Sequence, residues 1–146
     1  MKHYTRENFQ LTHSVGFHLN RARNSLLMEM DAALRPLDIT AQQMGILLSL
    51  MRGMASTPLE VSRLLGIDTG LMTRMLDKLE NKGLLQRQRS EEDRRVIHLI
   101  LTAQGRDVAG QIPNSAPDVL NHRLRNFSDS EFSEFARLLQ KFADGS

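Results

Sequence analysis

The chain has no cysteine among its 146 residues. Disulfides, thiolate zinc sites and thiol redox sensing are therefore excluded, and the composition fits a cytoplasmic protein without requiring one. No apolar run approaches the ~18 residues a membrane helix needs, so no transmembrane span is expected. The first ten residues, MKHYTRENFQ, are polar and lack the apolar stretch of a secretion signal; no signal peptide is expected. The histidines (His3, His13, His18, His98, His122) form no H-E-x-x-H pattern and no i, i+4 pair, and no serine or carboxylate constellation accompanies them. We expect no metal, no cofactor and no enzymatic activity. No segment concentrates Lys and Arg on one helical face, which argues against a membrane-surface role. Internal repeats and low-complexity stretches are also lacking.

What is present is a normal globular composition, 40% apolar and 25% charged, in a chain long enough for one domain with a real core. The net charge is only +2, but its distribution is uneven. Lys82, Arg87, Arg89, Arg94 and Arg95 crowd the middle of the chain against Glu91, Glu92 and Asp93, whereas residues 106–146 are slightly acidic. Local basicity of this kind is what a nucleic-acid footprint needs.

Residues 10–35 read as one long helix, with Val15, Leu19, Ala22, Leu26, Met30 and Ala33 at spacings of three and four, ended by Pro36. Its apolar face is longer than a small domain usually covers, which hints at a partner. Thr40 to Gln43 is a capping box flanked by Ile39 and Met44 as a hydrophobic staple, and the helix it opens runs to Gly53. Thr57-Pro58-Leu59-Glu60 is a second box, opening a short helix to Gly66. Asp68 caps a third over 69–82, stopped by Gly83. The period then switches to alternation: LLQRQR and VIHLIL read as two strands joined by the loop 90–95. Thr102 caps a helix to about 111, Pro113 and Pro117 predict a kink or two pieces, and a last helix runs from Ser128 to about Ala143 with Phe127 and Phe132 as staple. The fold class is mainly α with a small β-hairpin wing. A winged helix-turn-helix lobe over 37–102 lies between terminal segments, 1–36 and 103–146.

In the helix 69–82, Met72, Met75, Leu76 and Leu79 share one face and pack inward. Gly70, Thr73, Arg74, Asp77 and Asn81 face outward, with Lys78 and Leu71 on the flank. Such a helix fits the major groove of DNA, where an outward arginine pairs with guanine O6 and N7 and Thr73 meets a thymine methyl or a phosphate. Thr69 and free amides at the helix start suit a phosphate. Gly70 fits either a close backbone approach to DNA or simple tolerance near a helix end. Asp77 would repel phosphates, so the face is not purely electrostatic. At the hairpin tip, two adjacent arginines point to opposite sides of an extended chain. One of Arg94 and Arg95 can enter a narrow minor groove while the other braces the loop against Asp93. The same residues would also serve as a solvated helix face and a charged turn; their sequence order, wing directly after helix-turn-helix, favours DNA.

These pieces together resemble the MarR family of bacterial transcriptional regulators. The resemblance rests on Leu65-Gly66, on Thr73-Arg74, on L-E-x-x-G-L from Leu79 to Leu84, on the wing D-x-R from Asp93 to Arg95, and on L-T-x-x-G from Leu101 to Gly105. Their order and spacing carry it, and it covers most of the chain. Within the family, DRRVIHLILTAQG followed by a proline-bearing helix is most similar to the multidrug-efflux repressors. The resemblance implies a homodimer whose terminal helices interlock and carry two winged lobes to a pseudo-palindromic operator on double-stranded DNA. It carries DNA contact to Arg94 and Arg95, with Asp93 as the wing brace; together with Thr69, Gly70, Thr73, Arg74 and Lys78 of the helix 69–82, these are the expected DNA-binding residues. It also implies release on binding a small effector, often an aromatic or phenolic anion, in a pocket between the dimer helices and the lobe. His13, His18, Arg21, Met44, Leu47 and Leu48 are the candidate lining, though each also suits core or surface. The alternative is a winged-helix module for protein assembly in which Thr73, Arg74 and the wing arginines are replaceable.

Overall fold

The computed structural model describes residues 1–145; Ser146, the last residue of the expected terminal segment, lies outside them. The elements follow in the order α1 (Val15–Leu34), α2 (Ala41–Met51), α3 (Pro58–Leu65), α4 (Thr69–Asn81), β1 (Leu85–Arg89), β2 (Ile97–Leu101), α5 (Ala103–Gln111), α6 (Ala116–Leu124) and α7 (Asp129–Asp144). The first helix is shorter than its apolar spacing predicts. Ser14 accepts a hydrogen bond from the Phe17 amide at 3.1 Å, which makes it the N-cap, and Leu11–His13 forms a separate 3-10 turn. Pro36 sits in a second 3-10 turn, Arg35–Leu37, which ends at Asp38 in the left-handed region.

The caps explain the remaining boundaries. Thr40 and Gln43 bond reciprocally as a full box at the head of α2, and Ser128 and Glu131 do the same for α7. At α3 only half of the expected box forms. Thr57 accepts from the Glu60 amide at 3.2 Å, but the Glu60 carboxylate accepts from the hydroxyls of Thr57 and Ser56 instead of reaching the N-cap amide. Pro113 and Pro117 divide the chain into two pieces: α5 passes through a 3-10 turn, Ile112–Asn114, into α6.

The core gathers where α1, α2, α4, the strands and α5 meet. Leu34, Ile46, Leu47, Val61, Met72, Leu76, Leu79, Leu85 and Ile112 are fully buried there. Each such side chain contributes about 1.5–3 kcal/mol of burial. β1 and β2 pair antiparallel with Leu85 opposite Leu101 and Arg89 opposite Ile97, and the Leu99 amide donates to the Ser56 carbonyl at 2.7 Å, tying the hairpin to the head of α3. The L-T-x-x-G segment is a structural knot. Thr102 donates its hydroxyl to the Gly83 carbonyl at 2.6 Å, donates its amide to the Leu84 carbonyl at 3.1 Å, and caps α5 by accepting from the Gly105 amide at 2.9 Å. A Cβ on Gly105 would lie 1.8 Å from the Leu84 carbonyl oxygen, so only glycine fits where α5 crosses that backbone. Among the described residues, no helix is long and apolar enough to cross a membrane.

Candidate nucleic-acid interface

α4 is held in place by its buried face of Met72, Met75, Leu76 and Leu79, which leaves Thr69, Gly70, Thr73, Arg74, Asp77 and Lys78 exposed. The outward stripe read from spacing is therefore the stripe on the surface. Its chemistry differs from the expectation in two respects. The amides at the helix start are not free: the Asp68 carboxylate accepts from Gly70 at 2.8 Å and from Leu71 at 3.3 Å. A side-chain anion already occupies the place suggested for a phosphate, and of the groups proposed there Thr69 remains. The Thr73 hydroxyl donates to the Thr69 carbonyl at 3.0 Å. Its proton is committed to the helix, so it offers outward a methyl and an acceptor, which suits a thymine methyl better than a phosphate oxygen.

Gly70 also acquires a local reason. A Cβ there would stand 3.3 Å from the capping Asp68 oxygen and 3.9 Å from an Arg74 guanidinium nitrogen. The glycine leaves room for the cap and lets the Arg74 side chain lie back along the helix start. Arg74 makes no side-chain hydrogen bond or ion pair among the described residues, and Lys78, one turn on, is exposed.

At the wing, the tip closes with the Ser90 amide donating to the Val96 carbonyl and the Val96 amide to the Asp93 carbonyl, each at 2.9 Å. Asp93 is half-buried and grips Arg95 in three ways. It accepts from the Arg95 amide at 3.1 Å and, with its two oxygens, from Nε and Nη2 of the guanidinium, each at 3.1 Å. The Arg95 guanidinium, and then its backbone amide, hold the Asp93 carboxyl below its usual range. Arg95 nonetheless stays 90% exposed along its side chain, so the grip aims the guanidinium without covering it. The Arg94 side chain is exposed and has no partner among the described residues.

Two further arginines, which the sequence placed in the basic cluster without giving them a role, belong to this surface. Arg89 donates from Nη1 to the Arg94 carbonyl at 2.6 Å and so holds the tip from β1. Arg87 pairs with Asp77 at 2.6 Å and with Glu80 at 2.7 Å, joining β1 to the exposed side of α4. Those carboxylates, Glu80 first, raise the Arg87 guanidinium above its ordinary value. The alternation Q-R-Q-R puts both arginines on one side of the strand, and that was the available signal.

The residues suggested for an effector pocket are not brought together. Leu47 is fully buried in the core. Met44 and Leu48 are half-buried against the same core, Arg21 is exposed on α1, and His13 lies in the turn before α1. Of the suggested set, His18 borders a cavity of about 860 Å³, which runs between the first half of α1 (Val15, Leu19, Ala22) and α7 (Phe135, Leu138, Phe142). α7 has no buried residue, and Phe132, Phe135, Leu138, Leu139 and Phe142 are all 37–60% exposed.

Three core helices, a hairpin packed on them and an arginine-bearing hairpin tip define a winged helix-turn-helix protein. The sequence model of the MarR family matches residues 39–97. The multiple antibiotic resistance protein MarR of Escherichia coli (strain K12) is 34% identical over 124 residues, 84% of this chain and 84% of that protein. The crystal structure of a mutant MarR from E. coli complexed with operator DNA superposes with a TM-score of 0.78 at 30% identity, covering 88% of this chain and 92% of that one. BpsR of Bordetella bronchiseptica, whose structure concerns regulation of its DNA binding by 6-hydroxynicotinic acid, shares the fold at a TM-score of 0.83 and 21% identity, over 93% of this chain and 97% of that one. The chain belongs to the MarR family of transcriptional regulators.

Proposed function

We propose that this chain is a ligand-responsive repressor that binds a pseudo-palindromic operator as a homodimer. One observation carries the DNA reading: the exposed stripe of Thr73 and Arg74 on α4 and the exposed pair Arg94 and Arg95 at the wing tip stand on one rigid lobe, tied by the Arg87 and Arg89 bonds. Arg74 serves the major groove, with Thr73 against a thymine methyl and Lys78 on the backbone. The wing serves the adjacent minor groove, with Asp93 aiming Arg95 and Arg94 on the flanking phosphates. Thr69 and Gly70 lie at the closest approach of the helix start. The crystal structure of the E. coli relative complexed with operator DNA supports the DNA reading.

The dimer reading rests on the terminal helices. A second copy inserting its own α1 and α7 would cover the exposed phenylalanine face and the cavity beside it, and a twofold axis would place two α4 helices roughly one DNA turn apart. The effector is a small aromatic or phenolic anion, and His18 is the residue of the suggested set that supports a site at the dimer groove. The chain would act in the cytoplasm, where its operator is.

The test is a titration of the purified chain against labelled DNA from upstream of its own gene, at two salt concentrations and with excess nonspecific competitor. Tight binding that survives competitor is expected, with phenolic compounds then screened for release. Binding that vanishes with competitor on genome-selected fragments as well would favour the assembly module.

A further inference from the structure

Asp77 stands three residues after Arg74 and four after Thr73, so it shares their outward stripe, and Glu80 follows one turn later. Two bare carboxylates there would face the phosphate backbone that the same helix approaches. They are not bare. Arg87 reaches across from β1 and divides its guanidinium between them, Nη2 to Asp77 at 2.6 Å and Nε to Glu80 at 2.7 Å. All three side chains remain partly open, at 30% exposure for Arg87, 52% for Asp77 and 40% for Glu80, so the cluster lies at the edge of the proposed DNA face rather than beneath it. Three of the five guanidinium N–H groups stay free, but one cation beside two carboxylates leaves the cluster with a net charge of −1, which gives a phosphate little to bind.

We propose that Arg87 is a positioning residue for operator recognition that acts through Asp77 and Glu80, masking their charge against the DNA backbone, and that it makes no DNA contact of its own. This inference rests on the DNA-binding reading above. It separates the basic residues of the wing by role. Arg94 and Arg95 are offered to the nucleic acid, Arg89 holds the tip by the Arg94 carbonyl, and Arg87 quiets the acids of α4.

The roles separate in an anisotropy titration of operator duplex at about 50 mM and about 200 mM salt. The parent, Arg87→Ala, Asp77→Asn/Glu80→Gln and the triple combination are compared, each first checked for thermal melting and dimer content. Unmasking two carboxylates near the backbone weakens Arg87→Ala by about tenfold per protomer at the lower salt, less at the higher. The triple variant, which has no charge left to mask, returns to within about threefold of the parent. Arg87→Lys, a point charge that cannot fork between two partners, falls between. Should Arg87→Ala fail to fold, the Asp77→Asn/Glu80→Gln protein still decides: it binds at least as tightly as the parent. Arg87→Ala binding like the parent, a triple variant as weak as Arg87→Ala, or weakened binding by the doubly neutralised protein would each overturn the masking role. A parent chain that binds no operator would instead sink the DNA reading itself.

Discussion

In the winged lobe, Ile46, Leu47, Val61, Leu76, Leu79 and Leu85 are at most 2% exposed, while in α7 Phe132, Phe135, Leu138, Leu139 and Phe142 are all at least 37% exposed. Both regions have well-made helices. α2 and α7 each begin with a complete reciprocal capping box. The difference is therefore not in local helix quality. It lies in whether one copy of the chain can cover the apolar face that its helices create. The lobe closes on itself; the arm made by α1 and α7 leaves a cavity of about 860 Å³ and an aromatic stripe. Exposed apolar area of that kind marks an interaction site.

Replacing Phe135 and Phe142 together by aspartate is the strongest challenge to this contrast. The expected result in sedimentation equilibrium is a monomer whose lobe retains its helical signal, with operator affinity down by at least about a hundredfold as the second half-site is lost. A variant that stays dimeric would show that the arm is not where the copies meet. The lobe is probed by Gly105→Ala. Its Cβ would meet the rigid Leu84 carbonyl at 1.8 Å, and the displaced backbone costs about 3 kcal/mol in denaturant unfolding. A loss below about 1 kcal/mol would mean that α5 can slide, and the lobe is looser than its burial implies.

The two regions also differed in how far the sequence revealed them. The order of elements in the lobe follows from caps and period: Thr40, Thr57, Asp68 and Thr102 each cap the helix expected of them, and Gly83 ends α4 with a positive φ of 76°. The outward stripe of α4 was legible because four apolar residues at helical spacing fix which side is buried. Hydrogen-bond commitments were not legible. Periodicity places Asp68 as a cap but does not say that it uses up the amides meant for a phosphate, nor that Thr73 spends its proton on Thr69. The roles of Arg87 and Arg89, named only as part of the basic cluster, were hidden because their partners, Asp77 with Glu80 and the Arg94 carbonyl, lie on other elements. The pocket residues were the least legible. Leu47 reads as apolar wall or as core with equal ease in sequence, and the structure makes it core.

Within the lobe, the wing and α4 can be compared by smaller changes. Arg95→Ala is expected to weaken operator binding by about tenfold and to flatten its salt dependence by about one ion per protomer. Asp93→Asn, which keeps the arginine but loosens its aim, has the same direction and a smaller size. Thr73 separates methyl from hydroxyl. Thr73→Val keeps the outward methyl and stays within about threefold of the parent, whereas Thr73→Ala loses discrimination at one base step. Equal losses for both variants would return the phosphate role to the hydroxyl.

The smallest expected effect lies at the joint inside the arm. Arg123 of α6 grips Glu29 of α1 with Nε at 2.9 Å and Nη2 at 2.8 Å, the one fork-on-fork pair that ties the first helix to the chain's final third among the described residues. The hydrogen bonds from Arg123 hold the Glu29 carboxyl below its ordinary value of 4.5. A carboxyl lowered in the folded state stabilises that state above its unfolded value and loses the contribution as pH falls through the folded one. Thermal melts should therefore separate the parent from Glu29→Gln fully above pH 4.5, with the gap closing as pH falls from 4.5 through the lower folded value. Both partners are open to water, so the gap is small and narrows further with salt. A gap that grew on acidification would mean that the pair opposes the folded arm. An unchanged gap across the titration would mean that Glu29 acts by packing alone, and the arm would then depend for its geometry on its apolar contacts.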